Sequence, residues 1–221
     1  MVPIGENRGC DEMTQTSVDD ENPFKEYVPR HSPTMKIGSS NDFQTPPSAL
    51  LPLIPFINKD LVIWECAEGR GNLSNALRGK GYPVIGSDIF TGHDFLGWEP
   101  REHWDCIVTN PPFSLKQQFL ERCYFFKKPF ALLLPLTTFD GKTRMALFKT
   151  FGVQVIFLPK RVVFETPTGR MGKNSSPWFA TAWFTWGLNL PKDLIWPDFP
   201  VPVFPHWKKS SLMKQESLEG D

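Results

Sequence analysis

Apolar residues in this chain fall into short runs separated by stretches of helical period, a pattern that begins only after about residue 40. Residues 61–65 (Leu-Val-Ile-Trp-Glu) are a short apolar run ending on a carboxylate, which predicts a buried strand. In residues 72–80, Leu73, Ala76 and Leu77 share one helix face, and residues 83–87 read as the next strand. Residues 104–109 predict a third strand, 115–126 a helix and 130–136 a fourth strand. A short helix at 143–150 and a strand at 153–158 follow, and the alternating aromatics of 179–186 predict a final strand. Strands that alternate with helices build βαβ units with right-handed crossovers, so the fold class expected is α/β, an open sheet with helices on both faces.

The flanks differ. Residues 1–40 are polar, mixed in charge and without sustained apolar period, which predicts a flexible tail, as for 208–221. Residues 191–207 are rich in proline but apolar and aromatic, and are expected to pack as an extended strap, so the folded domain is placed at 41–207. With 221 residues, 40% of them hydrophobic, the chain can bury one sizeable core. Lys+Arg and Asp+Glu are equal at 24 each, so any contact with a polyanion has to come from local clusters. Cys10, Cys66, Cys106 and Cys123 have no CxxC spacing, and this predicts reduced thiols and no metal site. The N-terminus lacks the basic start and apolar run of a secretory signal, and no run approaches the ~20 apolar residues of a membrane span. A cytoplasmic protein without a membrane partner is expected.

In open α/β sheets ligands bind beyond the carboxyl ends of the strands. Polar and glycine residues collect there after the first three predicted strands: at 65–71, at Asp88 and at Asn110. In Glu65-Cys66-Ala67-Glu68-Gly69-Arg70-Gly71, Gly69 and Gly71 let backbone amides approach a ligand, or serve only the geometry of a strand-to-helix turn. The loop is not GxGxxG. Its carboxylates Glu65 and Glu68 would repel a pyrophosphate and can pair with the cationic amino group of a methionine moiety, which favours S-adenosylmethionine over NAD. Asp88 is placed to accept from both ribose hydroxyls of an adenosine cofactor, or to cap a turn. Asp94 and Phe95 offer a carboxylate for an adenine amino group with an aromatic face beside it, unless Phe95 is core.

The most specific feature is Asn110-Pro111-Pro112-Phe113, directly after the third strand. Two successive prolines fix φ, hold the preceding residue extended and remove two backbone donors, so that local carbonyls are left as acceptors. The Asn110 side-chain oxygen and the Pro111 carbonyl can then both accept from one NH₂ group while Phe113 stacks on the ring that carries it. Accepting both protons localises the nitrogen lone pair as it attacks a sulfonium methyl, an effect worth about 3 kcal/mol per hydrogen bond.

On these residues the chain resembles the amino-group methyltransferases of nucleic acids, above all the short phage-type DNA N6-adenine methyltransferases, over residues 42–186. The resemblance implies a Rossmann-like class I methyltransferase with a mostly parallel seven-stranded sheet. It places Phe43, Thr45 and Pro46 at the methionine end of S-adenosylmethionine, with Glu65, Cys66, Ala67, Gly69 and Gly71 in the cofactor loop. Asp88 and Ile89 fall at the ribose, Asp94 and Phe95 at the adenine, and Asn110, Pro111, Pro112 and Phe113 form the catalytic tetrapeptide. The loop lacks the Pro-Ala of many relatives, so that Arg70 can project across the cofactor site, and no long insertion supplies a recognition domain. Between the last two strands, Arg170 and Lys173 with Ser176 and Trp178 can close over a phosphate backbone, or form a flexible hairpin connection. Lys160 and Arg161 add two positive charges shortly before it.

Methyl transfer to the amino group of adenine in DNA is therefore the expected function, in the cytoplasm of a host if the chain is phage-encoded. Transfer to an RNA base or to a protein glutamine uses the same tetrapeptide, and a catalytically silent nucleic-acid-binding module on the same scaffold is the reading from another class. In duplex DNA the target adenine has to leave the stack.

Overall fold

The computed structural model describes residue 28 and residues 44–166, 169–170 and 179–197, with the backbone alone for 165–166 and 169–170. Both predicted tails (apart from residue 28), Phe43, Lys173, Ser176 and Trp178 lie outside these residues.

Strands form at β1 (Ile63–Glu65), β2 (Val84–Gly86), β3 (Cys106–Thr109), β4 (Phe130–Pro135), β5 (Gln154–Phe157), β6 (Glu165–Thr166), β7 (Gly169–Arg170), β8 (Thr181–Trp186) and β9 (Leu194–Ile195). The helices are α1 (Asn72–Gly79), α2 (Lys116–Phe126) and α3 (Lys142–Phe151). The main sheet has seven strands in the order β2-β1-β3-β4-β8-β5-β9. Pairings β1–β2, β1–β3, β3–β4 and β5–β9 are parallel, and β8 runs antiparallel to both β4 and β5. Six strands thus share one direction, so the chain has the mostly parallel seven-stranded α/β sheet of the Rossmann-like class.

The central strands read as unbroken apolar runs because both of their faces are covered. Along β4, Phe130, Leu132 and Leu134 enter one core with Phe119, Leu120 and Tyr124 of α2 and Leu147 of α3. Ala131 and Leu133, the alternate positions, enter a second core with Leu73 and Leu77 of α1 and with Leu50 and Leu53. Those last two belong to a pair of 3-10 turns, Pro47–Leu50 and Ile54–Phe56, and the link between them, all preceding β1. Buried Trp183 of β8 anchors the first turn by donating from Nε1 to the Ala49 carbonyl at 2.8 Å.

The crossover from β2 to β3 carries no helix, only the 3-10 turn Ile89–Thr91 followed by loop. Its apolar residues instead wedge under α2. Phe95, 2% exposed, stacks on Phe119 at 4.5 Å and lies 5.2 Å from the Trp64 ring. Trp104 also packs against Trp64, at 5.1 Å. The strap begins as β9, pairing with the exposed edge of β5, and its Trp196 stacks flat on Phe157 at 4.0 Å.

Candidate active site

Strands β2, β1 and β3 are neighbours and parallel, so the residues that follow them emerge side by side at one edge of the sheet. Glu65, the last residue of β1, is 1% exposed. Its Oε1 accepts from the Thr109 hydroxyl at 2.5 Å and from the Ala67 amide at 3.1 Å, while Oε2 accepts no hydrogen bond among the described residues. Burial is the dominant influence on this carboxyl and pushes its pKa from 4.5 up to about 8, against the Thr109 and Ala67 hydrogen bonds. The charges of Glu68 and Asp88 push the same way as burial.

The loop after β1 turns on Gly69 (φ 55°) and Gly71 (φ 81°), both in the left-handed region that glycine adopts without strain. Its amides already have partners. Gly69 donates to Asp88 Oδ2 at 2.9 Å, Arg70 to Gln44 Oε1 at 3.0 Å and Glu68 to the Ser87 carbonyl at 3.0 Å. A Cβ at Gly69 would come within 2.6 Å of Gln44 Nε2, so the residue also serves the close approach of Gln44. Arg70 is exposed, and Glu68 pairs with Arg78 at 3.4 Å.

Asp88 follows β2 and is buried. It caps the Ile89–Thr91 turn, accepting from the Phe90 amide at 2.9 Å on Oδ1, while Oδ2 holds the glycine loop. The turn-capping role open to it in the sequence is thus realised, and each oxygen keeps a lone pair for a further donor. Asp94 is half-buried and accepts from the Leu96 amide at 3.0 Å. Phe95 contributes its ring to the core, the second of the two roles open to it in the sequence, and Cys66 is buried there too. Burial pushes the Cys66 thiol well up.

Asn110 follows Thr109 and is half-buried. Thr45, Glu65, Ala67 and Asn110 surround one cavity, with Gln44, Glu68 and Leu73 completing its wall. The space is about 20 Å³, room for about one water molecule. Pro46, Gly69, Gly71, Asp88, Ile89, Asp94 and Phe95 do not line it, although Gly69 and Asp88 hold its loop in place.

In the tetrapeptide, the Pro112 carbonyl accepts from the Leu115 amide at 2.8 Å and the Phe113 carbonyl from Lys116 Nζ at 3.2 Å. The Pro111 carbonyl accepts no hydrogen bond among the described residues. Burial and the nearby Arg144 charge lower the Lys116 pKa. Phe113 is half-buried, with its ring edge-to-face to Phe164 at 5.9 Å and Phe179 at 5.5 Å. Gln44 and Thr109 stand in the segments 42–46 and 109–113 that the sequence marks, but their roles as partners of Arg70 and Glu65 are not legible there, and Phe164 and Phe179 are not marked as site residues at all. The signal for the last two is the aromatic residue at each end of the glycine-rich connection, and for Thr109 it is a hydroxyl at the carboxyl end of an apolar strand.

Arg170 pairs through its backbone with Glu165, which makes the expected basic loop a short hairpin at its base. Among the described residues no helix is long and apolar enough to cross a membrane, and no group of His, Cys, Asp or Glu is arranged to hold a metal.

No protein-family model matches this chain, and no curated protein matches it. Several solved structures overlap its fold. A methyltransferase subunit of a type I restriction-modification system from Streptococcus thermophilus is 19% identical, with 73% of this chain and 48% of that one covered at a TM-score of 0.47. For a modification subunit of a putative type I restriction enzyme from Vibrio vulnificus the values are 14%, 67%, 45% and 0.42. A dimethyladenosine transferase from Plasmodium falciparum gives 12%, 64%, 62% and 0.38. The chain spans about half the length of the first two. Likeness at this level bears on neither substrate nor cofactor.

Proposed function

We propose that this chain is an S-adenosylmethionine-dependent methyltransferase that acts on the exocyclic amino group of a nucleobase, adenine in DNA being the first substrate to test. The observation that carries the reading is the meeting of Glu65 and Asn110, from adjacent strand ends, around one cavity. At that place Oε2 of the Glu65 carboxyl, and beside Asn110 the backbone carbonyl of Pro111, accept no hydrogen bond among the described residues.

These groups fit the cofactor. Glu65 suits the cationic amino group of its methionine end, with Thr45 and Ala67 alongside, and the remaining lone pairs of Asp88 suit ribose hydroxyls. Bound there, the cofactor supplies an electrophilic methyl group. The chain's own part is to hold the acceptor: Asn110 Oδ1 and the Pro111 carbonyl accept from the NH₂ group, while Phe113, backed by Phe164 and Phe179, presents an aromatic face to its ring. A cavity of about 20 Å³ admits no such ligand as it stands. The Gln44 to Arg70 hydrogen bond and the Glu68 to Arg78 pair over the loop have to open on binding.

Incubation with tritiated cofactor and a panel of single- and double-stranded DNA, RNA and protein tests the reading. Incorporation into adenine of DNA is expected. Label in RNA or in protein glutamine moves the acceptor to that class. Cofactor binding with no incorporation anywhere makes the chain a silent module. Asn110→Ala is expected to abolish transfer and to leave cofactor affinity within a few-fold, since its oxygen serves the acceptor. Loss of cofactor binding instead would show that the acceptor assignment is wrong.

A further inference from the structure

A second and larger cavity adjoins the first. It holds about 420 Å³, within the ~300–1,000 Å³ range of small-molecule sites. One wall is the first 3-10 turn with the residue before it, Pro46, Ser48 and Ala49; the other is the segment after β5, from Leu158 to Val163. Both walls lead to the candidate active site. Pro46 is next to Thr45, which lines the smaller cavity, and Val163 is next to Phe164, whose ring meets that of Phe113. The Ser48 wall is fixed by the hydrogen bond from Trp183 to Ala49, so this cleft is built before any ligand arrives.

Its chemistry is one-sided. Pro46, Leu158, Pro159 and Val163 supply apolar surface, Val163 being 43% exposed. Lys160 and Arg161 are exposed cations of the lining, and the described lining residues include no carboxylate. Apolar surface beside two cations matches a base or sugar joined to a phosphate, and favours nucleic acid over an acceptor peptide. Nor do these residues include a side-chain amide with which to read a base edge.

Resting on the nucleic-acid reading above, we infer that this cleft holds the nucleotide flanking the target base. Lys160 takes its phosphate, with Arg161 beside it in the same lining.

Fluorescence anisotropy with a labelled single-stranded oligonucleotide and the full chain tests this. The double variant Lys160→Ala/Arg161→Ala is expected to bind roughly tenfold more weakly, with a salt slope shallower by about 0.7 for each phosphate no longer neutralised. Val163→Asp, which sets a like charge against the phosphate from an exposed position, is expected to weaken binding with an unchanged melting temperature. Unchanged affinity and slope in both variants overturns the inference, as does a wild type that binds a glutamine-bearing peptide in preference to the oligonucleotide. Methyl transfer is read separately. If the oligonucleotide binds through this cleft but takes up no tritium, the subsite stands and the catalytic reading falls.

Discussion

Glu65→Gln separates the charge of the buried carboxyl from its shape. Glutamine keeps an oxygen where Oε1 accepts from Thr109 and Ala67, but it cannot ionise. The wild-type carboxyl has its pKa raised from 4.5 to about 8. The unfolded chain therefore releases this proton near the lower value and the folded chain near the higher. Below the lower value both states are protonated and the group has no effect on the pH dependence. Between the two values only the unfolded state is ionised, so the folded state loses stability as pH rises, and above the higher value the loss is complete. One pKa unit corresponds to about 1.36 kcal/mol, so the wild type is expected to lose about 2–3 kcal/mol between roughly pH 5 and pH 7 that the variant does not. For a chain of this size that is roughly 5–10 °C of melting temperature. Thermal melts of both proteins across this window give the measurement, and other titrating groups cancel in the difference. Parallel curves would show that Glu65 is already ionised in the folded chain and that burial does not govern it. The same proton has a second readout. A cationic cofactor end needs the carboxylate, so binding near neutral pH is expected to release a proton, seen as a dependence of the calorimetric enthalpy on buffer, and Glu65→Gln is expected to lose both the release and much of the affinity.

Phe95→Ala is expected to cost about 3–5 kcal/mol of stability, since the ring is 2% exposed and packed between Trp64 and Phe119; an unchanged melting temperature with lost cofactor affinity would return this ring to the cofactor site. Gly69→Ala places a Cβ 2.6 Å from Gln44 at a residue with φ 55°, and a fall of at least tenfold in cofactor affinity is expected by calorimetry, with a stability loss of about 1 kcal/mol. In a Cys10→Ser variant the remaining thiols, Cys66, Cys106 and Cys123, are all buried and free, the Cys106 thiol being pushed up to about 12 by burial. A chromogenic disulfide reagent is therefore expected to find no rapidly reacting thiol in the native protein and all three after denaturation; rapid native reaction would mean that the core around α2 opens.

The strands and helices were legible because their patterns report burial directly. The run at 130–136 is apolar at every position, and β4 proves covered on both faces; residues 72–80 put Leu73 and Leu77 on one stripe, and α1 buries that stripe. Elements set by tertiary contacts were not legible. The 3-10 turns at Pro47–Leu50 and Ile54–Phe56 have no period to detect, and the first is held in place by a hydrogen bond from Trp183, more than a hundred residues away. The edge strand β9 is two residues long and exists because β5 leaves an edge to pair with.

Glycine and tetrapeptide motifs locate a site in the sequence, but they do not say what their atoms are doing in the folded chain. The Gly69 amide donates to Asp88, that of Arg70 to Gln44 and that of Glu68 to Ser87, so the loop is held through bonds that a ligand has to exchange or supplement. Glu65 and the Pro111 carbonyl differ: each keeps an acceptor that nothing in the described chain uses, at the ends of neighbouring strands. A donor arriving at these strand ends meets oxygens that no group of the described chain already engages, which makes these two groups, rather than the glycines, the part of the motif set that points to a ligand. It also separates two steps: opening of the loop by the cofactor and capture of the amine at Asn110. Glu65→Gln acts on the first and Asn110→Ala on the second, so the two variants should differ in cofactor affinity even if both abolish transfer.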